Sequence, residues 1–160
     1  MKRIVVALVV ASACGGVSGG GSQPLVELDG DGYASEVHPI LEARCATLDC
    51  HGVDDRPLRL YAETGLRLQG DLRDQPVQAD ELTADLRAIE AIDPGAEPAD
   101  SLMIRKPLAE AAGGVFHEGG DLWTSKDDPQ LLCVLAWLSG DSDAEACAVA
   151  AEQVALPPPT

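Results

Sequence analysis

Five cysteines limit what this chain of 160 residues can fold into more than any other feature of its sequence. Four of them form two closely spaced pairs, Cys45 with Cys50 and Cys133 with Cys147. An even number of cysteines in an oxidising compartment indicates that all of them are bonded. Either both pairs are disulfides, or one pair is a disulfide and the other is bonded to a cofactor. The number of cysteines alone does not decide between these arrangements.

The N-terminal residues 1–13 have the features of a secretory signal peptide. Lys2 and Arg3 give a positive start, residues 4–10 are apolar, and the small residues that follow form a cleavage site. The apolar run is much shorter than the roughly 18 to 20 residues that cross a bilayer. We therefore predict a cleaved leader and an exported protein rather than a membrane-spanning helix.

The fifth cysteine, Cys14, directly follows this cleavage site. The stretch from Val10 to Cys14 resembles a bacterial lipobox, which implies that Cys14 is lipidated and becomes the mature N-terminus. Ala11 stands where lipoboxes usually have Leu, and an ordinary signal peptidase would also accept Ala-Ser-Ala. Residues 14–32 begin with a Gly/Ser-rich stretch, which predicts a flexible tether. The expected location is the periplasm or the outer membrane, with the lipid as the membrane anchor.

The chain is strongly acidic, with 27 acidic against 11 basic residues and a formal charge of −16. Nucleic acids and anionic membrane surfaces repel such a protein, so neither is expected as a partner. The hydrophobic content of 46% is too high for a disordered chain. The length suits one domain with a core of its own.

Apolar residues at helical spacing predict two helices in the first two thirds of the chain. The first is expected over residues 35–44, with Ser35 as its N-cap. The second is expected over residues 80–92, where Pro94 prevents its continuation.

Two more helices are predicted near the C-terminus. Asp128 as N-cap and Pro129 at the first position begin a helix that is expected to stop at Gly140. Another helix follows, in which Ser142 and Glu145 have the spacing of a capping box. The pattern as a whole predicts an all-α fold with long loops.

Cys133 and Cys147 lie on these two neighbouring helices. A disulfide between them would fasten the helical hairpin, and we predict that it forms. The folded domain is expected over residues 33–152, followed by a Pro-rich tail at 153–160.

The segment from Cys45 to Gly52 combines residue types that converge on one cofactor. Two thiols can bond the two vinyl groups of a haem, and a histidine directly after the second thiol can coordinate the iron. The short form of the motif is C-x-x-C-H, whereas the spacing here is C-x₄-C-H, so the two additional residues must loop away from the ring. A longer spacer of this kind occurs in some multihaem cytochromes. The segment predicts a haem c attached through Cys45 and Cys50, with His51 as the proximal iron ligand.

The sequence around this segment resembles the cytochrome c domains of planctomycetes and myxobacteria. The matching motifs are VHPIL at 37–41, CHG at 50–52, LRL at 58–60, SLMIRKP at 101–107, HEGG at 117–120 and AWL at 136–138. The resemblance implies a mono-haem domain on the bacterial cell surface or in the periplasm. The wide spacing between Cys45 and Cys50 is the point at which this sequence departs from the family.

The second axial ligand is a choice between two residues. His117 is flanked by glycines, which allow backbone to approach a ring face closely, and it belongs to the matching HEGG motif. Met103 is the rival, because thioether ligation is common in c-type cytochromes, although a Met in an apolar run more often fills a core. An iron without a second protein ligand is the remaining option. His38 is interpreted as a surface or packing histidine.

These residues are compatible with three functions. The first is a mono-haem electron carrier, which hands electrons to a redox partner protein that the sequence does not identify. The second is a haem-free structural or binding lipoprotein with two disulfides, since C-x₄-C also suits a small disulfide loop. The third is a zinc site built from Cys45, Cys50, His51 and His117, which an oxidising compartment disfavours. No catalytic constellation can be built from the three histidines, so an enzyme is not predicted.

Overall fold

The computed structural model describes residues 27–155, which form five helices joined by long loops. The helices are α1, made of the consecutive segments Gly30–Gly32, Tyr33–Val37 and His38–Arg44, then α2, Ala79–Ile92, α3, Leu102–Arg105, α4, Pro129–Leu138, and α5, Ala144–Ala155. Single-turn 3₁₀ helices lie at Gly70–Leu72, Pro98–Asp100 and Glu110–Ala112. Within residues 27–155 the only β pairing is two isolated bridges, so the predicted all-α fold is confirmed. The predicted signal peptide, Cys14 and the last five residues lie outside the described residues.

Helix α1 begins five residues earlier than predicted. Asp29 is its N-cap, and the Asp29 carboxylate accepts a hydrogen bond from the backbone N–H of Asp31 at 3.1 Å. The predicted cap, Ser35, lies inside the helix, and its hydroxyl donates to the Asp31 carbonyl at 2.8 Å. The end of the predicted tether therefore contributes the first turn of the fold.

A proline within α1 explains an irregular turn in that helix. Pro39 has no N–H, and in a regular α-helix its ring would collide with the carbonyl of Ser35. The preceding segment Tyr33–Val37 is a π-helical turn, closed by a bond from His38 N–H to the Tyr33 carbonyl. The wider turn accommodates the proline without breaking the helix.

Helices α4 and α5 form the predicted hairpin. Asp128 caps α4 as expected, since its carboxylate accepts from the N–H of Gln130 at 2.9 Å. The predicted capping box of α5 is wrong by one residue, because Asp143 and not Ser142 accepts the N–H of Ala146, at 2.9 Å. The carboxylate of Asp143 lies three residues before that N–H, which is the spacing that an N-cap needs.

The predicted Cys133–Cys147 disulfide is present, and it joins the two helices with their Cα atoms 4.8 Å apart. Both cysteines are buried in the hydrophobic core. Helix α1 packs against this hairpin through Tyr33, whose ring centre lies 5.3 Å from that of Trp137. The Trp137 indole N–H donates to the Asp29 carbonyl at 2.8 Å and so fixes the start of α1.

A buried polar cluster attaches the long loop after residue 57 to α2. Asp85 is fully buried and accepts hydrogen bonds from the Tyr33 hydroxyl, at 2.8 Å, and from the Tyr61 N–H, at 2.9 Å. Nearby, Arg67 donates to both carboxylate oxygens of the buried Glu81. His38, which the sequence suggests is a packing or surface residue, is buried and lies 3.7 Å from Asp85.

Within residues 27–155, no helix has both the length and the apolar character that a membrane crossing requires.

Candidate functional site

One cavity of about 610 Å³ is lined by all five residues that the sequence singles out for cofactor binding. They are Cys45, Cys50, His51, Met103 and His117. The volume falls in the range of about 300 to 1,000 Å³ that is usual for cofactor and small-molecule sites. Leu41, Leu58 and Ile92 contribute apolar wall, so the cavity combines a hydrophobic lining with a few convergent donor atoms.

The end of α1 positions the first of these residues. The N–H groups of Cys45 and Ala46 both donate to the Leu41 carbonyl, at 2.7 and 2.9 Å, and so close the last turn. The chain then folds back, and the His51 N–H donates to the Cys45 carbonyl at 2.9 Å. Gly52 makes this return possible, because a Cβ atom there would lie 2.2 Å from the Ala46 carbonyl oxygen. The small loop brings two thiols and one imidazole to the same wall.

His51 lines the cavity, and one of its two ring nitrogens is hydrogen-bonded to the backbone while the other is free. Its Nδ1 lies 3.0 Å from the Leu58 carbonyl, which can only accept, so Nδ1 carries the proton and Nε2 has a free lone pair. The Leu60 N–H donates to the His51 carbonyl at 2.9 Å and fixes the backbone. Burial lowers the pKa of His51; the bond to Leu58 opposes that shift, and His117 and Arg56 add to it. The neutral imidazole, the form that binds metals, is thereby favoured.

His117 is oriented by the same kind of hydrogen bond, from Nδ1 to a backbone carbonyl. Its Nδ1 donates to the Gly120 carbonyl at 3.1 Å, which leaves Nε2 as the free acceptor. The glycines around it shape the loop, and Gly119 also lines the cavity. A Cβ atom at Gly119 would lie 3.0 Å from the His117 ring, and one at Gly114 would lie 1.7 Å from the Leu108 carbonyl oxygen.

The two imidazoles lie next to each other across the cavity. Their ring centres are 6.2 Å apart and their planes differ by 8°. Imidazoles on opposite sides of one iron have centres about 6 Å apart, since each iron–nitrogen bond is about 2 Å and the ring centre lies about 1 Å beyond the nitrogen. The separation matches that of two axial ligands, but the rings are stacked rather than end to end, so both would have to turn before their free Nε2 atoms could face one iron.

The two thiols of the motif are unbonded, and both are partly exposed. Burial, followed by the neighbouring Cys50, raises the pKa of the Cys45 thiol to about 12. Cys45 is consequently protonated at neutral pH and is a poor nucleophile in the folded chain. The Cys45–Cys50 disulfide of the haem-free hypothesis is not formed in this structure.

The zinc hypothesis receives no support from the residues described. A cluster of three or more potential metal ligands forms at one place within residues 27–155, and it consists of Glu36, Cys133 and Cys147. The two sulfurs there are bonded to each other, so they cannot act as thiolate ligands. Cys45, Cys50, His51 and His117 do not converge in this way.

Met103 lies in α3 and is 6% exposed. Ser101 caps this short helix by accepting the Met103 N–H at 3.2 Å. The side chain contributes both to the core and to the wall of the cavity. Its burial agrees with core packing, and its place in the cavity lining keeps it a candidate ligand.

Cationic residues at the cavity wall are functional candidates that sequence reasoning missed. Arg44, Arg56 and Lys106 line it, although bases are scarce in this chain. Trp123 also lines it, and its buried indole N–H has no acceptor among residues 27–155. A bound molecule that carries carboxylates, as haem does, would complement these groups. Only the fold brings them together, since Arg44 ends α1, Lys106 follows α3, and Arg56 and Trp123 lie in separate loops.

Comparisons of the chain with protein-family models, with curated proteins and with solved structures found no match. The function of the chain is therefore inferred from the residues and the geometry of this cavity.

Proposed function

We propose that this chain binds one haem c and carries single electrons in the bacterial cell envelope. The observation that supports this most is the pair His51 and His117, whose ring centres lie 6.2 Å apart and whose Nδ1 atoms are both bonded to backbone carbonyls. When bound, a haem c supplies an iron that alternates between the ferric and ferrous states and so carries one electron.

Each residue of the site has a distinct role in this proposal. Cys45 and Cys50 would hold the cofactor through thioether bonds, and His51 and His117 would be the two histidine ligands. The Leu58 and Gly120 carbonyls keep both rings in one orientation and increase the basicity of Nε2. The apolar wall would limit the access of water to a bound haem. No proton donor or nucleophile is needed, in agreement with an electron carrier rather than an enzyme.

We also propose that the domain is exported and anchored through a lipidated Cys14, a residue outside the described range. Mass spectrometry of the mature N-terminus should then find acyl chains on Cys14. An unmodified N-terminus produced by ordinary cleavage after Ala13 would contradict the anchor without affecting the haem site.

The axial ligands are tested by the optical and spin-state spectra of the haem-loaded protein. We expect the wild type to be low-spin with two nitrogen ligands. His117→Ala should convert it to a high-spin form that binds carbon monoxide, because one axial position becomes vacant.

Met103→Leu is the matched control, since Leu is close to Met in volume and costs little in a core. Its spectrum should equal that of the wild type. A wild-type charge-transfer band near about 695 nm, of the kind given by Met/His ligation, that disappears in Met103→Leu would overturn the assignment of His117.

A haem-free binding or structural lipoprotein is the second candidate. The Cys133–Cys147 disulfide favours it slightly, because it shows that this chain uses a cysteine pair for a disulfide. The same apolar cavity would then bind a small molecule without covalent bonds. Thiol titration of the denatured, reduced protein separates the two candidates, since two disulfides yield four thiols, whereas thioethers at Cys45 and Cys50 leave only the two thiols of Cys133 and Cys147.

A further inference from the structure

Two loops that line the candidate haem cavity each carry an exposed apolar side chain. Four large hydrophobic residues are exposed within residues 27–155, namely Leu48, Leu68, Phe116 and Val149. Leu48 is 52% exposed and lies in the spacer between the two thiols. Phe116 is 72% exposed, precedes His117 and contributes to the cavity rim. Side chains of this size at a rim are typical of sites of protein contact.

The loops that carry these two residues meet at the cavity. They are the thiol loop, residues 46–56, and the glycine loop, residues 113–121. Arg56 of the first lies 3.9 Å from Glu118 of the second, and the rings of His51 and His117 are adjacent. Lys106 fixes the glycine loop by donating to the Phe116 carbonyl at 2.8 Å. Phe116 therefore borders the opening, and Leu48 directly precedes Asp49, which also lines it.

Acidic side chains surround this apolar rim. The two loops contain five exposed acids, Asp49, Asp54, Asp55, Glu118 and Asp121. Arg56 is the one base of these loops, and even with Arg44 and Lys106 at the cavity wall the acids are in excess. An apolar centre with charges of one sign around it is suited to transient, electrostatically steered association.

We propose that the thiol loop and the glycine loop form the docking surface for a basic one-electron redox protein. This inference rests on the proposed function. The reaction is the transfer of one electron from the ferrous iron of this protein to the oxidised centre of its partner, with no atom or proton exchanged. A second copy of this chain or an anionic membrane is disfavoured as occupant, because the chain carries a charge of −16.

The experiment uses the haem-loaded protein with a basic cytochrome c as probe and an acidic plastocyanin as its counterpart. Amide shifts from NMR locate the contact, and stopped-flow absorbance gives the second-order rate of electron transfer. We expect shifts in both loops with the basic probe, and a rate that falls steeply as ionic strength rises. Leu48→Ser and Phe116→Ser should each lower the rate by about 5-fold.

Matched controls come from parts of the surface outside the thiol loop and the glycine loop. Leu68→Ser and Val149→Ser change exposed apolar residues elsewhere and should leave the rate within error of the wild type. Asp54→Asn with Asp55→Asn should weaken the dependence of the electron-transfer rate on ionic strength. Glu145→Gln with Glu152→Gln on α5 removes the same charge and should change that dependence much less.

The docking surface is refuted if the controls slow the reaction as much as the loop variants do. It is equally refuted if the acidic probe is preferred, or if sedimentation shows that a second copy occupies the loops. The optical spectrum of each variant, recorded first, separates this inference from the proposed function. Absence of haem would contradict the proposed function, whereas an intact spectrum with unchanged rates would contradict only the docking surface.

Discussion

His51 and His117 are far apart in the sequence, yet each is fixed by a hydrogen bond from Nδ1 to a backbone carbonyl. The sequence offers no pattern for this, because the acceptor is main chain and any residue could supply it. His51 is predictable from its position directly after Cys50. His117 is predictable only through the glycines around it, and its distance from His51 depends on how two loops meet.

Asp85 is the residue whose burial has the clearest thermodynamic consequence. Burial raises its pKa to about 7, more than the hydrogen bonds from Tyr61 and Tyr33 lower it, and Glu81 and Glu42 add to the increase. A carboxyl whose pKa is higher in the folded than in the unfolded state stabilises the fold at low pH. That contribution is lost as pH rises through about 7.

Asp85→Asn should therefore change the pH dependence of stability. Between pH 5 and pH 8 the wild type should lose about 2 to 3 kcal/mol relative to the variant, at about 1.4 kcal/mol per pKa unit. Urea unfolding at both pH values measures the two free energies. Glu90→Gln, a change of an exposed residue on the same helix, is the control. Its free energy of unfolding should change with pH in parallel with that of the wild type. Parallel curves for Asp85→Asn would show that Asp85 is ionised in the folded protein throughout.

At the scale of secondary-structure elements, local capping chemistry decides what can be predicted. Asp128 followed by Pro129 identifies the start of α4 correctly, because both residues favour one position. The start of α1 is missed because Asp29 is followed by two glycines, which are typical of a tether. Its π-helical turn cannot be predicted either, because a proline such as Pro39 within a helical pattern can end the helix as well as distort it.

The α4–α5 hairpin provides the prediction at this scale. Its disulfide links residues 14 apart in sequence. In the chain-entropy model, a disulfide that closes a loop of about 15 residues stabilises the folded state by about 3 kcal/mol. Cys133→Ala with Cys147→Ala should lower the free energy of unfolding by that amount, as measured in urea, and leave the cofactor attached.

Reduction of the wild type is the matched control for this change. Thioether bonds resist thiol reductants, so in the haem-loaded protein a reductant should open this disulfide alone and cost the same stability. An undiminished free energy of unfolding in either sample would mean that packing of α5 against α4 does not depend on the disulfide.

At the scale of the whole molecule, an acidic exterior surrounds one apolar cavity. The all-α class follows from hydrophobic periodicity, whereas the cavity is assembled from separated loops together with residues of α1, α2 and α3. No single segment predicts its volume or its cationic wall. The central claim of the account is our proposal that one rigid, amphipathic ligand binds in this cavity, next to the thiols, the two imidazoles and the cationic side chains.

The intact mass of the denatured mature protein, made in a host with haem-attachment machinery, tests that claim most directly. Both thiols of the motif are free to form thioethers in this structure. The account predicts the mass of the chain with one haem, together with a Soret band that survives denaturation and acidic organic extraction. It also predicts that Cys45→Ala combined with Cys50→Ala abolishes both. A mass equal to the bare chain with two disulfides, and no Soret band, would contradict the account.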